Sequence, residues 1–230
     1  MKVLAINGSP RKKKNTGILL EHALAGAKCS GADVELVHLY EQDYRGCRSC
    51  FACKRINGKD YGRCAVQDGL APILQKVSQT DVLILGSPIY FNSETGEMRS
   101  LMERLLFPYL TYTEGYASIF PRKIRTALFY TMNIAEQDMT AYQQDKTVAV
   151  SQAFMEKVFG NCEVLLSTDT YQFNDYSQYV SSVWDAEAKQ KRHEEIFPLD
   201  CKKAYEMGAR LCARSRDLQK EGLLSLTHCA

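Results

Sequence analysis

Val3-Leu4-Ala5-Ile6-Asn7-Gly8-Ser9-Pro10-Arg11-Lys12-Lys13-Lys14-Asn15-Thr16 joins a short apolar run to a turn rich in hydrogen-bond donors, and the turn feeds a helix. Such a turn suits a phosphate, because backbone N–H groups, a hydroxyl, an amide and a helix N-terminus converge there. Ser9 and Thr16 offer hydroxyls, Asn15 an amide, and Arg11 or Lys12 a charge. Taken singly, Ser9 reads as a turn residue, Thr16 as a helix cap and Arg11–Lys14 as a solvated run. The chain has neither the Gly-x-x-x-x-Gly-Lys-Ser/Thr spacing of a nucleoside-triphosphatase loop nor the Gly-x-Gly-x-x-Gly of a dinucleotide site.

Working outward, strand-like and helix-like segments alternate. Strands are expected at Lys2–Ile6, Asp33–Leu39, Asp81–Gly86, Arg125–Thr131 and Glu163–Ser167. Between them, Thr16–Lys28, Gln67–Gln79, Gly96–Leu106 and Thr140–Phe159 read as helices, and helical segments from Asp185 are interrupted near Pro198. Asp81–Gly86 is continuously apolar, as in a parallel strand covered on both faces. The pattern predicts an α/β, flavodoxin-like, doubly wound sheet of five parallel strands in the order 2-1-3-4-5, with helices on both faces. One domain over residues 1–230 is expected, with a cysteine-rich loop at about 40–66 and a C-terminal helical extension.

The 230 residues are 45% hydrophobic and 24% charged, with a formal net charge of +2, which gives no case for nucleic acid or an anionic membrane as main partner. No apolar stretch approaches the roughly 20 residues of a membrane span. Met1–Ser9 lacks the pattern of a signal peptide, so a cytoplasmic protein with reduced thiols or metal ligands is expected. Cys29, Cys162, Cys201, Cys212 and Cys229 are scattered and read as small side chains of packing.

A second segment sharpens the reading. Gly86-Ser87-Pro88-Ile89-Tyr90-Phe91-Asn92 follows the third strand, and Thr95-Gly96-Glu97-Met98-Arg99-Ser100-Leu101-Met102-Glu103-Arg104 opens the next helix. With Gly8-Ser9-Pro10-Arg11 and Asn15-Thr16, this order of motifs resembles the flavodoxin-like NAD(P)H-dependent FMN reductase family, including its iron–sulfur flavoprotein branch. The resemblance covers Met1 to Arg104; beyond Phe107 only the rhythm matches. It implies that Ser9, Arg11, Asn15 and Thr16, with Lys12 beside them, hold the phosphate of FMN. It also implies that Pro88, Ile89, Tyr90, Phe91 and Asn92 wrap the flavin ring, with Thr131, Met132 and Asn133 on its other side. Tyr171 to Tyr176 is expected at the same mouth. Pro88 removes a donor and stiffens the turn, leaving later N–H groups to face a ring.

Cys47-Arg48-Ser49-Cys50-Phe51-Ala52-Cys53, with Cys64 after a Gly-bearing segment, groups four thiols. They suit a 4Fe–4S cluster or zinc, or they are free thiols in a loop. Iron–sulfur flavoproteins carry a similar motif after the second strand, but the gap from Cys53 to Cys64 is longer here. Arg45, Arg48, Lys54 and Arg55 would favour thiolates.

No nucleophile triad or His-Glu-x-x-His pattern is present, and His22, His38, His193 and His228 are dispersed, His193 in a charged helix expected to be solvated. The resemblance implies an oxidoreductase that takes hydride from NAD(P)H and passes electrons to a flavin, quinone or similar acceptor. The other reading is an iron–sulfur electron carrier reduced by ferredoxin. A homodimer or higher homo-oligomer is expected by the same analogy, with Phe107–Phe120 and the C-terminal helices as contact surfaces.

Overall fold

A parallel sheet runs through the centre of the molecule, whose computed structural model describes residues 1–213. In chain order the elements are β1 (Lys2–Asn7), α1 (Asn15–Cys29), β2 (Asp33–His38), α2 (Ala71–Gln79), β3 (Val82–Tyr90), β4 (Ser93–Glu94), α3 (Gly96–Leu106), β5 (Arg125–Thr131), α4 (Gln144–Phe159), β6 (Glu163–Ser167), α5 (Ala186–Glu195) and α6 (Phe197–Cys212). The parallel strands lie in the order β2-β1-β3-β5-β6, and β4 pairs antiparallel with β3. The expected five-stranded winding is therefore found, with a two-residue strand added.

Successive side chains of the inner strands enter different cores, as the two-residue period of a strand requires. Leu4, Ile6, Leu83, Leu85, Leu128 and Tyr130 pack with residues of α2, α3 and α4 on one face. Val3, Ala5, Val82, Ile84, Ala127 and Phe129 pack with α1 and α6 on the other. Each fully buried Leu or Ile contributes about 1.5–3 kcal/mol.

The α1–α6 contact is the tightest between helices. A Cβ added at Gly26 would stand 2.0 Å from the Tyr205 carbonyl oxygen, and one at Gly208 would stand 1.9 Å from that of Ala23. The two backbones touch, and only hydrogen fits between them. The helical tail thus completes the second core: Phe197, Ala204, Met207 and Leu211 are buried in it.

Local chemistry explains the boundaries. Thr95 caps α3, its Oγ1 accepting from the Met98 N–H at 3.3 Å. Pro198 lies in the first turn of α6, where its missing N–H costs nothing, so it separates α5 from α6. α2 starts at Ala71 because Asp68 turns the chain first, its Oδ1 accepting from the Leu70 N–H at 3.1 Å. α4 starts at Gln144, after Gln143 in the left-handed region (φ 58°). β3 runs past Gly86 to Tyr90 because the next residues fold back as a hairpin.

Cys162, Cys201 and Cys212 are buried thiols, and Cys29 lies exposed at the end of α1. Cys229 and His228 lie outside the described residues. His193 is not a solvated surface residue: its ring is stacked between Tyr171 and Phe197, with centroids 5.3 Å from each. Among the described residues, no helix is long and apolar enough to cross a membrane.

Candidate functional site

The parallel register brings four loops to the carboxyl edge of the sheet: Asn7 pairs with Gly86, Pro88 with Thr131, and Thr131 with Ser167. Open α/β sheets place ligands at such an edge.

The first loop is held from beneath. The buried Asn7 accepts the Ser9 N–H at 2.9 Å through Oδ1, and its Nδ2 lies 3.2 Å from His38 Nδ1. Burial, aided by Lys12 and opposed by Glu21, holds the His38 imidazole below its ordinary value, which suits a neutral ring that accepts from Asn7. The loop wraps so closely over the start of α1 that a Cβ at Gly17 would stand 1.7 Å from the Lys12 carbonyl oxygen. Thr16 is not the cap: it lies inside the first turn, and its Oγ1 is 2.8 Å from Thr131 Oγ1. The capping position is Lys14, which makes no side-chain cap, and the first turn holds no acid. The first-turn amides of α1 therefore lack a capping side chain, the arrangement that receives an anion.

The expected phosphate residues divide into two groups. Ser9 and Thr16 stay at the turn, with Ser9 Oγ accepting from the Arg11 N–H at 3.2 Å. Arg11 and Asn15 hold a strap that follows β6: Arg11 Nη1 donates to the Gln172 carbonyl at 2.6 Å, and Asn15 Nδ2 to that of Tyr171 at 3.0 Å. Lys14 joins them on Asn174 Oδ1 at 2.8 Å, while Lys12 pairs with Glu41.

The second loop is the β3–β4 hairpin. Phe91 and Asn92 at its tip both take positive φ, 50° and 61°. Such a turn favours Asn-Gly, and an aromatic residue there is strained. Phe91 is 106% exposed, and Tyr90 is 45% exposed. Asn92 locks the tip to the start of α4: its Nδ2 donates to the Tyr142 carbonyl at 2.7 Å, and its Oδ1 accepts from Gln144 Nε2 at 3.2 Å.

Beneath the hairpin lies Glu94, only 4% exposed. Its Oε1 accepts from Tyr130 Oη at 2.5 Å and Ser151 Oγ at 2.6 Å, and Arg99 Nη1 reaches its Oε2 at 3.4 Å. Burial pushes this carboxyl up, but the Ser151 and Tyr130 hydrogen bonds and the Arg99 charge hold it below the usual carboxylate range. Thr95 joins the two loops, its Oγ1 donating to the Gly8 carbonyl at 2.7 Å.

In the third loop, Met132 is buried and its N–H donates to the Ser167 carbonyl at 3.0 Å. The Asn133 carbonyl accepts from Lys189 Nζ at 2.9 Å, and that buried ammonium also reaches Asp169. Thr131, Met132 and Asn133 thus stand at the expected edge, with Asn133 committed to Lys189.

A separate centre forms where residues 40–66 pack on the end of α3. Cys47, Cys50, Cys53 and Cys64 line one cavity together with Arg104 and Phe107. Cys47 and Cys50 are exposed, Cys53 is buried and Cys64 is half-buried. Ser49 (φ 52°) and Phe51 (φ 54°) take the left-handed conformation, so the loop winds tightly around the cysteines. A backbone hydrogen bond at Ala52, with Arg48 assisting, holds the Cys50 thiol below its ordinary value, whereas burial pushes that of Cys53 up. Among the described residues, no three His, Cys, Asp or Glu side chains converge on a single-ion site. A larger groove of about 820 Å³ borders this cavity and shares Cys64 and Arg104 with it.

The sequence motifs identify the turn and the segment after β3, and Tyr171 to Tyr176 is expected at the same mouth, but Glu94 and the bonds that tie residues 171–174 to the turn carry no local signal. A glutamate between Ser93 and Thr95 looks like a solvated loop residue, and the strap meets the turn across some 160 residues.

The edge gathers hydrogen-bond donors around the start of α1, and four thiols line one cavity at the end of α3. The sequence signature of the NADPH-dependent FMN reductase family matches residues 1–156. An iron–sulfur flavoprotein of Archaeoglobus fulgidus is 36% identical over 104 residues, covering 45% of this chain and 48% of the relative. One of Methanocaldococcus jannaschii is also 36% identical over 104 residues, covering 45% and 51%. The chain spans about half the length of these relatives. Among solved structures, the NAD(P)H:quinone oxidoreductase of Methanothermobacter marburgensis superposes with a TM-score of 0.66 at 13% identity, covering 93% of this chain and 98% of the other. An FMN-dependent NADH-azoreductase of Bacillus anthracis, in complex with FMN, superposes with a TM-score of 0.66 at 14% identity, covering 93% and 100%. These two likenesses establish the fold.

Proposed function

The chain belongs to the NADPH-dependent FMN reductase family, and on that premise we propose that it is an FMN-dependent oxidoreductase that accepts hydride from NADH or NADPH. The electrons pass to a flavin, quinone or similar small acceptor. The observation that carries this reading is the uncapped start of α1, tied through Thr95 and Gly8 to the β3–β4 hairpin. In this reading Ser9, Arg11, Lys12, Asn15 and Thr16 serve the phosphate, and the first-turn amides of α1 receive its charge. Pro88 to Asn92 and Thr131 to Asn133 line the ring, held in place by Glu94, Tyr130 and Ser151. Bound FMN supplies the hydride and electron chemistry, and the protein supplies position and electrostatics. No side chain is required as a general acid or base.

FMN added to flavin-free protein should lose its fluorescence with a one-to-one end point, and anaerobic NADPH or NADH should then bleach the bound flavin. FMN that stays bright over well-folded protein refutes the site. A bound flavin that neither nucleotide bleaches refutes the reductase.

A second reading is favoured by one observation, the four cysteines around a single cavity. In it they hold a 4Fe–4S cluster, and the protein is an electron carrier reduced by ferredoxin. Reduction by ferredoxin without reduction by a pyridine nucleotide would select it. We also propose a homodimer or higher homo-oligomer that covers the exposed aromatics of the segment 107–120, Tyr112 and Tyr116 among them. Sedimentation at monomer mass would oppose it.

A further inference from the structure

We infer that Arg104 is the positioning residue of the cysteine centre, closing the loop that carries the thiolates and setting the electron affinity of the metal–sulfur group they hold. The inference rests on the reading above that Cys47, Cys50, Cys53 and Cys64 hold such a group.

Arg104 stands in the last turn of α3, and its side chain is 1% exposed. All five of its N–H donors are used. Nε donates to Cys64 Sγ at 3.3 Å. Nη1 donates to the Arg45 carbonyl at 2.9 Å and to Asp68 Oδ2 at 2.6 Å. Nη2 donates to the Val66 carbonyl at 3.2 Å and to Asp68 Oδ1 at 2.9 Å. Arg45 lies two residues before the first cysteine of the loop, and Val66 two residues after the last. One rigid guanidinium therefore fixes both ends of the loop and also touches the fourth sulfur.

Neighbouring charges complete the seat. Glu103 Oε2 accepts the Cys47 N–H at 3.0 Å, and Lys54 Nζ meets the Phe107, Pro108 and Leu110 carbonyls at the end of α3. Arg48 assists the exposed Cys50 thiol, whereas Arg104 meets Cys64 Sγ from a buried position, and a charged donor on a ligating sulfur stabilises the more negative, reduced form of a cluster. Burial keeps this interaction from being screened by salt. Asp68 opposes it, because its carboxylate neutralises the same guanidinium in a fork-to-fork pair. A lysine cannot reproduce the arrangement, having three donors on a single nitrogen.

The two partners of the ion pair should therefore act in opposite directions on redox behaviour, although losing either one weakens the fold. The test uses the full FMN-loaded chain, reconstituted without air with ferrous iron and sulfide, as wild type, Arg104→Gln, Arg104→Lys and Asp68→Asn. We expect wild type and Asp68→Asn to take up iron equally, with a midpoint potential in Asp68→Asn no lower than in wild type. In both Arg104 variants the midpoint should fall, and iron should pass to a chelator about tenfold faster or more. Arg104→Lys should lie between wild type and Arg104→Gln. Should Arg104→Gln fail to fold, Arg104→Lys against Asp68→Asn carries the comparison. Wild-type protein that takes up no iron removes the metal–sulfur reading and this role with it. Wild-type protein that loads, beside Arg104 variants with unchanged midpoint and iron loss, removes the role of Arg104 alone. Midpoints that move together in the Arg104 and Asp68 variants reduce both residues to structural supports and overturn the inference.

Discussion

Burying a carboxylate beneath the β3–β4 hairpin is costly unless donors replace the lost water, and Glu94 meets that demand with three hydroxyls, those of Tyr130, Ser151 and Ser93, and a nearby guanidinium. A carboxyl held below its unfolded value contributes stability at higher pH and loses it as pH falls through the lowered folded value. Acid unfolding of the wild type should therefore steepen below about pH 4.5, the ordinary glutamate value. In Glu94→Gln that steepening should be weaker, with the lowered Asp68 and Asp175 carboxyls supplying what remains, and neutral-pH stability should be lower by about 1–3 kcal/mol. Thermal melts at several pH values check both statements. Sequence patterns do not show this residue, because a lone charge among polar neighbours has no periodicity. What makes Glu94 structural is the convergence of Tyr130 and Ser151 from two distant elements.

The hairpin itself is an element whose sequence argues against its shape. Phe-Asn occupies the two tip positions that favour Asn-Gly, and the Phe91 side chain packs on nothing in the isolated chain. Phe91→Asn should relieve the left-handed strain and raise stability by about 0.5–1.5 kcal/mol. It should also weaken FMN binding, measured by fluorescence quenching, if the ring is the contact for which that strain is kept. α1 and α6 present the opposite case, in which the sequence hides a tight fit. Gly208→Ala must separate two touching backbones, and we expect a loss of about 1–3 kcal/mol or more, read from the urea midpoint. The strands and α3 were legible because apolar runs and helical spacing of apolar residues are local signals. The hairpin and the helix seam were not, since both depend on what lies opposite.

Across the whole molecule, the winding order followed from alternation and handedness, and the ligand edge followed from the winding. The turn after β1 was legible in its donors, and the segment 171–176 was expected at the same mouth, but the bonds that Arg11, Lys14 and Asn15 make to it were not legible. The cysteine loop was legible as a group of thiols, whereas the arginine that closes it looked like one more charge on an amphipathic helix.

The seam between α1 and α6 also bears on where this protein can be cut. The stretch that its family shares stops at residue 156, inside α4 and before β6 and α6. A fragment ending there would uncover the face of α1 that α6 packs on, around Ala23 and Gly26, and the edge of β5 that pairs with β6. Expressed alone, it should aggregate or melt without cooperativity, while residues 1–213 should unfold in one step by circular dichroism. Ancestry and autonomy thus have different borders here: the part that is recognisable by kinship depends on the less familiar remainder to exist as a folded body.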